Sequence, residues 1–164
     1  MHPMAEKIKE RFPSEFVGTK EYAGDLMVQV KKDKIVEIMR FIYDDPDLDF
    51  DMMTEIITVD YPNDEERFEA VYQIYSTRKM HRIRIKVRIK EDDCNIDSVT
   101  GIWNGANLME REAFDMMGIR FNNHPDLRRI LMPEDYNEGY PLRKEFPIKG
   151  KGWRHTYDFI PKME

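Results

Sequence analysis

A short run of charged residues in the second half of the chain has the spacing to do acid–base chemistry. Glu110, Arg111, Glu112 and Asp115 fall on a predicted helix, where Arg111 and Asp115 are four positions apart and can pair. Glu112 and Asp115 are three positions apart, and paired carboxylates of this kind can act as general acid and base. With His124 they suggest a free-standing hydrolase. The same pattern is typical of an ordinary charged helix surface, so both interpretations stay open.

A second acidic group lies between residues 44 and 51. Asp47, Asp49 and Asp51 have the first, third and fifth positions of a calcium-binding loop. Such a loop also needs Gly at its sixth position and Glu at its twelfth, where this chain has Met52 and Thr58. We therefore expect a solvated acidic turn and no calcium site.

One predicted strand carries a row of cations on a single face. This cationic strand, as we name it, contains no interleaved aromatic side chain on which a base could stack. The chain has 26 Lys and Arg against 32 Asp and Glu, and its net charge of −6 repels polyanions. We expect no nucleic-acid binding and a solvent or interface role for this face. The cations are Arg82, Arg84, Lys86, Arg88 and Lys90.

Metal and cofactor motifs are missing from the sequence. The four histidines are scattered, and the single cysteine, Cys94, excludes an internal disulfide and a Cys-rich metal or iron–sulfur site. Its acidic neighbours disfavour a reactive thiolate. The apolar runs are far shorter than the roughly 20 residues that cross a bilayer. We expect an intracellular chain with no cofactor and no membrane span.

Hydrophobic periodicity predicts the elements that must position these residues. Apolar side chains at three- and four-residue steps predict helices, and strict alternation predicts half-buried strands. We expect Asp33 to cap the second helix and Gly118 to end the third. The fold class is α+β, a small antiparallel or mixed sheet with helices packed on it. The predicted helices span 5–12, 34–43 and 106–117, and the predicted strands 26–30, 52–60, 67–76 and 82–90.

The last part of the chain, residues 119–164, has a different character. It holds five of the nine prolines and many large apolar residues without periodicity, and it has nine Lys and Arg against seven Asp and Glu. We predict a globular domain over 1–118, followed by an extended, mostly irregular arm over 119–164 that packs on partner subunits. An arm that folds back on its own domain remains the alternative. Arg128, Arg129, Arg143 and Lys144 suit docking onto an acidic partner.

Two blocks of sequence resemble a known family, the C subunit of NADH:quinone oxidoreductase, respiratory complex I. Together they cover about residues 99–150. The first is Glu110-Arg111-Glu112-x-x-Asp115-Met116-Met117-Gly118-Ile119-x-Phe121, followed by His124-Pro125-x-Leu127-Arg128-Arg129-Ile130-Leu131. The second begins with Asp135-Tyr136 and continues as Gly139-Tyr140-Pro141-Leu142-Arg143-Lys144-Glu145-Phe146-Pro147-Ile148-x-Gly150.

The resemblance implies a cofactor-free structural subunit in the peripheral arm of a proton-translocating complex. Such a subunit braces the quinone-site large subunit and the iron–sulfur subunits, while FMN and the iron–sulfur clusters lie in its neighbours. It lies on the cytoplasmic side of the inner membrane and is itself non-catalytic. The alternative is the equivalent subunit of a membrane-bound hydrogenase or of a dehydrogenase with another electron donor.

The resemblance also implies which residues form the partner interface, and it implies no catalytic, cofactor-binding or metal-binding residue in this chain. Whether the acidic members brace the arm internally or meet a partner cation stays open. The predicted interface residues are Glu110, Arg111, Glu112, Asp115, His124, Arg128, Arg129, Asp135, Arg143 and Lys144.

Overall fold

A computed structural model describes residues 2–148 of the chain. Within them, three helices and seven strands are formed. None of these helices combines the length and the apolar character needed to cross a membrane. The elements in chain order are α1 (Pro3–Arg11), β1 (Phe16–Tyr22), β2 (Asp25–Val30), α2 (Ile35–Asp44), β3 (Met52–Asp60), β4 (Phe68–Ser76), β5 (His81–Ile89), β6 (Asn95–Asp97), α3 (Ala106–Met117) and β7 (Arg120–Asn122).

Five strands form one mixed sheet in the order β1-β2-β5-β4-β3. β2 and β5 are parallel, and the other neighbours are antiparallel. The chain leaves β2 and reaches β5 only after α2 and the β3–β4 hairpin, which is the long crossover that a parallel pair needs. The α+β class with a mixed sheet and packed helices is confirmed.

The inner face of the sheet holds the core. The alternation predicted for β5 is confirmed, because Ile83, Ile85, Val87 and Ile89 are all buried. Fully burying one such side chain stabilises the fold by about 1.5–3 kcal/mol. The helices contribute their apolar stripes to the same cluster, with Ala5 and Ile8 from α1 and Ile35, Ile38, Met39 and Ile42 from α2.

Local differences from the predictions have local reasons. Lys34 is the residue before α2 and makes no side-chain capping hydrogen bond, so the prediction that Asp33 caps this helix was wrong. β1 was not predicted, because its side chains are mostly exposed and leave no apolar alternation to recognise. Its backbone pairs with β2.

Residues 119–121 continue directly into the core of the domain. Ile119 and Phe121 are buried in the main hydrophobic cluster, and β7 pairs with β6 in a small parallel sheet. The division into a domain over 1–118 and a partner-bound arm over 119–164 stays a prediction, since residues 149–164 lie outside the described part of the chain.

Candidate functional site

The family-like residues lie on α3 and on the segment that follows it. α3 ends as predicted at Gly118, whose φ of 79° is left-handed and whose N–H donates to the Phe114 carbonyl. A Cβ at this position would lie 2.6 Å from the Tyr140 ring and 2.8 Å from Arg143 Nη2. Glycine therefore permits both the turn and the close return of the chain against the end of the helix.

Asp115 is buried and organises the loop at residues 130–132. Its Oδ2 accepts the backbone N–H groups of Ile130, Leu131 and Met132 at 3.0, 2.8 and 2.8 Å. Arg129 Nη1 donates to Oδ1 at 2.6 Å. Burial acts to raise the pKa of this carboxyl, but these donors outweigh it and lower the pKa below its ordinary value. Asp115 is therefore an ionised internal anchor.

Arg111 holds the preceding turn of the same loop. Its Nε donates to the Arg128 carbonyl at 3.1 Å, and its Nη2 donates to the Arg129 carbonyl at 3.0 Å. The sequence allowed a pair between Arg111 and Asp115 along the helix. The structure gives each residue a different partner in the loop, because the loop supplies carbonyls for the guanidinium and N–H groups for the carboxylate.

Glu110 points into the protein interior and is fully buried. Its Oε1 accepts the Val99 N–H at 2.8 Å. Burial raises the pKa of this carboxyl to about 7, although hydrogen bonds from Ser98 and Val99 act in the opposite direction. A carboxyl group with this pKa is poised to change its protonation near neutral pH.

His124 lies over the start of α3. Its Nε2 is 3.1 Å from the Asn107 carbonyl, and its Nδ1 accepts the Asp126 N–H at 3.0 Å. The distance from Nε2 to Glu110 Oε2 is 3.9 Å. The contact between His124 and the Asn107 carbonyl joins the turn after β7 to the first turn of α3.

The other predicted interface residues lie nearer the surface. Glu112 and Asp135 are exposed, and Asp135 also interacts with another group of the chain. The Arg128 side chain is 61% exposed and pairs with its neighbour Asp126 at 2.9 Å. These residues are accessible to a partner, whereas Glu110, Arg111 and Asp115 are used internally.

Arg143 and the backbone of Lys144 contact a charge cluster of Asp60, Arg67 and Glu91 that sequence reasoning missed. Arg143 Nε donates to the Met117 carbonyl at 2.8 Å, and the Lys144 backbone N–H donates to Asp60 Oδ2 at 2.7 Å. Asp60 also receives a forked pair of hydrogen bonds from Arg67, at 2.8 and 2.9 Å. The hydrogen bonds from Arg67 are the main cause that lowers the pKa of Asp60.

A signal for this cluster was present in the strand pattern. Asp60 ends β3, and Arg67 precedes β4, so the hairpin between them must bring the two residues together. The contribution of Lys144 could not be foreseen, because it depends on where an irregular segment returns to the domain.

The geometry does not support the hydrolase hypothesis. Glu110 is buried beside His124, Asp115 already accepts hydrogen bonds from the loop on both of its oxygens, and Glu112 is exposed. These side chains do not converge on a common cavity in which a substrate could meet a nucleophile or a base.

The cations of the cationic strand are paired with acidic side chains of the sheet and of the turn between β3 and β4. Arg84 pairs with Asp25 at 2.8 Å, and Lys86 pairs with Glu69 at 2.8 Å. Lys90 pairs with Glu65 at 2.8 Å. Since each of these cations already has an acidic partner, this face offers no row of free positive charge for a phosphate backbone.

The acidic turn disperses its carboxylates among different partners. Asp47 pairs with Lys7 at 2.6 Å, and Asp51 accepts the Thr77 N–H at 2.8 Å. Asp49 accepts from Arg78 Nε at 2.5 Å. Across residues 2–148, no group of three or more His, Cys, Asp or Glu is placed to hold a metal ion. The expectation of a chain without cofactors stays a prediction.

The sequence matches one family over most of its length. Residues 28–152 match the family described as the 30 Kd subunit of respiratory-chain NADH dehydrogenase. The chain belongs to this family.

Relatives of this family member cover nearly the whole chain. The C subunit of NADH-quinone oxidoreductase from Geobacter sulfurreducens is 43% identical over 145 residues, which span 88% of each chain. The protein of the same name from a Roseiflexus species is 44% identical over 153 residues, which span 93% of this chain and 87% of the relative.

Solved structures show the same fold. A trypsin-resistant fragment of Nqo5, its residues 1–134, has a TM-score of 0.66 at 28% identity and covers 76% of this chain and 96% of its own. A chain of the membrane-bound sulfane sulfur reductase, an archaeal respiratory membrane complex, has a TM-score of 0.75 at 26% identity. That match covers 88% of this family member and 84% of the archaeal chain.

Proposed function

We propose that this chain is a cofactor-free structural subunit in the peripheral arm of a proton-translocating NADH:quinone oxidoreductase, complex I. Its relatives carry the name of the C subunit of that enzyme. The chain itself performs no step of electron transfer. It braces the quinone-site large subunit and the iron–sulfur subunits, and FMN and the iron–sulfur clusters are held by those neighbours.

The observation that carries the docking part of this proposal is an apolar surface around α3. Leu108, Leu131 and Leu142 are 57%, 59% and 52% exposed. Leu131 and Leu142 are fixed at the end of the helix, since their backbone N–H groups donate to Asp115 Oδ2 at 2.8 Å and to the Met116 carbonyl at 3.1 Å. Leu131 and Leu142, which are held near the same end of α3, are suited to a contact with another protein.

The internal anchors give this surface a fixed shape before a partner arrives. Asp115 and Arg111 bind the 128–132 loop, and Arg143 binds the end of α3. A preorganised surface loses less conformational entropy when it docks. We propose that the surface docks on the quinone-site subunit, with Arg128, Arg129 and Lys144 at its rim. The arm predicted over residues 119–164 would pack on the partner subunits through the side chains that it leaves exposed, such as Leu131 and Leu142.

The same proposal locates the chain at the cytoplasmic side of the inner membrane as a peripheral component. No membrane contact of its own is needed, because the partner subunits would attach it to the membrane-embedded part of the complex. This location can be tested by washing membranes with high salt and with alkali. This chain and the quinone-site subunit are then detected together in each fraction.

Two charge-introducing variants in the full-length chain test the docking surface. Leu131→Asp places a carboxylate at the centre of the proposed contact, and Val17→Asp is the matched control, since Val17 is 54% exposed on β1 at the opposite edge of the sheet. We expect affinity purification with Leu131→Asp to recover the quinone-site subunit at least tenfold less well than with the control. Equal recovery by both variants would refute the proposed contact.

A second candidate is the equivalent subunit of a related complex with another electron donor. The similarity to a chain of the sulfane sulfur reductase complex favours it. Mass spectrometry of the native complex decides between the two candidates. FMN- and NADH-binding subunits support the first, and a complex that lacks them but keeps a quinone-site-like large subunit supports the second.

A further inference from the structure

Glu110 is a buried carboxyl group without a cation beside it. Its Oε2 is buried and has no hydrogen-bond partner. Within residues 2–148, its ion-pair neighbour is His124, and no Lys or Arg lies at that distance. Burying an unpaired carboxylate costs so much free energy that such a group takes up a proton instead.

His124 supplies no positive charge to Glu110. The Asp126 N–H donates to its Nδ1 at 3.0 Å, so this nitrogen carries a lone pair and no proton. The imidazole is therefore neutral, with its proton on Nε2, where it faces the Asn107 carbonyl at 3.1 Å. Protonation of Nδ1 would break the hydrogen bond that closes the turn at residues 124–126.

Tyr72 on β4 adds a second unpartnered polar atom. Its side chain is fully buried, and its hydroxyl has no hydrogen-bond partner. Burial is the main cause that raises the pKa of Tyr72. Its side chain belongs to the same buried cluster as Ala106 and Ala113 of α3, the helix that carries Glu110. A buried water molecule typically joins polar groups that cannot reach each other directly.

We propose that Glu110, Tyr72 and His124 enclose an internal site that binds one proton and one water molecule. Glu110 occupies this site as a neutral carboxylic acid, and the water joins its Oε2 to the Tyr72 hydroxyl. The titratable groups around this site are His124 from the turn after β7, whose Nε2 is 3.9 Å from Glu110 Oε2, Tyr72 from β4, and Asp97 from β6, which acts electrostatically on Tyr72. The site links the protonation of Glu110 on α3 to the turn at residues 124–126, which leads into the loop at 128–132.

Infrared spectroscopy of the full-length chain tests the protonation directly. At about pH 6, one unit below the pKa of about 7, we expect a carboxylic-acid C=O band in the wild type and in Glu112→Gln, and none in Glu110→Gln. The band should titrate with a midpoint near that pKa. A band that is insensitive to Glu110→Gln, or a midpoint near the ordinary value of 4.5, would overturn the proposal.

The dependence of unfolding on pH tests the same site independently. A folded pKa above the unfolded one stabilises the fold below the unfolded pKa, and this stabilisation is lost as the pH rises through the folded pKa. Between about pH 4.5 and pH 8 we expect the unfolding equilibrium constant of the wild type, relative to Glu110→Gln, to rise on the order of a hundredfold. A ratio that stays constant across this range contradicts the proposal.

The variant Tyr72→Phe tests the water. If the hydroxyl binds a water shared with Glu110, its removal raises the unfolding equilibrium constant roughly tenfold, and less in the Glu110→Gln background. A hydroxyl with no partner behaves in the opposite way, because its removal leaves stability unchanged or improves it. That second result would overturn the shared water. None of these measurements depends on assembly with other subunits, so they are separate from the test of the proposed function.

Discussion

Asp115 and Arg129 form an ion pair between α3 and the loop that follows β7, with 2.6 Å between Asp115 Oδ1 and Arg129 Nη1. The Asp115 side chain is fully buried, and the Arg129 side chain is 19% exposed. Since the other oxygen of Asp115 accepts three successive backbone N–H groups, this one carboxylate determines the path of residues 129–132. That path positions Leu131 on the proposed docking surface.

Removing this carboxylate should destabilise the fold strongly. Asp115→Ala leaves one guanidinium and three N–H groups without their acceptor, which costs about 3–5 kcal/mol in the free energy of unfolding. Urea denaturation measures this loss, and amide exchange should show faster exchange at residues 130–132. The control Glu112→Ala changes an exposed carboxylate of the same helix and should cost less than about 0.5 kcal/mol. Equal losses in the two variants would show that Asp115 is not an anchor.

Acid should weaken the same anchor. The pKa of Asp115 is lowered in the fold from an ordinary value of 3.8, because its hydrogen bonds outweigh the effect of burial. A lowered pKa stabilises the fold above the unfolded pKa, and this stabilisation is lost as the pH falls through the folded pKa. We therefore expect the stability difference between the wild type and Asp115→Asn to shrink below about pH 4. Urea midpoints measured across this range check the direction, and a difference that does not vary with pH contradicts it.

Glycine should be required at the end of α3 and dispensable at its start. In Gly118→Ala a Cβ meets the Tyr140 ring at 2.6 Å on a backbone with positive φ, so we expect a loss of about 1–3 kcal/mol. Gly105→Ala is the control, because Gly105 has helical φ and ψ and nothing within 4 Å of its Cβ position. That variant should leave stability unchanged or raise it by up to about 1 kcal/mol. Thermal denaturation compares the two.

The stability that the forked pair of Arg67 and Asp60 contributes should depend on the geometry of its two hydrogen bonds. Arg67→Lys keeps the charge but loses the two parallel hydrogen bonds to a fully buried carboxylate, and we expect a cost of about 1–3 kcal/mol. Arg78→Lys changes a pair in which the Arg side chain is 68% exposed, and it should cost clearly less than Arg67→Lys because solvent screens an exposed pair. Urea denaturation of both variants decides whether burial sets the difference, and similar costs would argue against it.

Most of the periodic elements could be predicted from the sequence. The helices α2 and α3 and the strands β2 to β5 lie close to their predicted spans, because apolar spacing in these segments reports directly which side faces the core. β1 lacked that signal, since most of its residues are exposed and it joins the sheet mainly through backbone pairing with β2. β6 and β7 are three residues each, too short for any periodicity to appear.

The candidate site was predictable in its location and not in its contacts. The charged residues around α3 were recognisable from their family-like spacing. The burial of Glu110, the loop held by Arg111 and the role of Lys144 at Asp60 were not, because each depends on a residue that is distant in the chain.

By itself, the sequence determined the fold class, the end of α3 at Gly118 and the absence of interleaved aromatic groups from the cationic strand. These are local properties that residue type and spacing control. Only the tertiary structure decided which charged side chains are paired inside the protein and which remain exposed to a partner. A side chain such as Asp115 has many possible partners in an unfolded chain, and its environment exists only once the loop and helix have packed together.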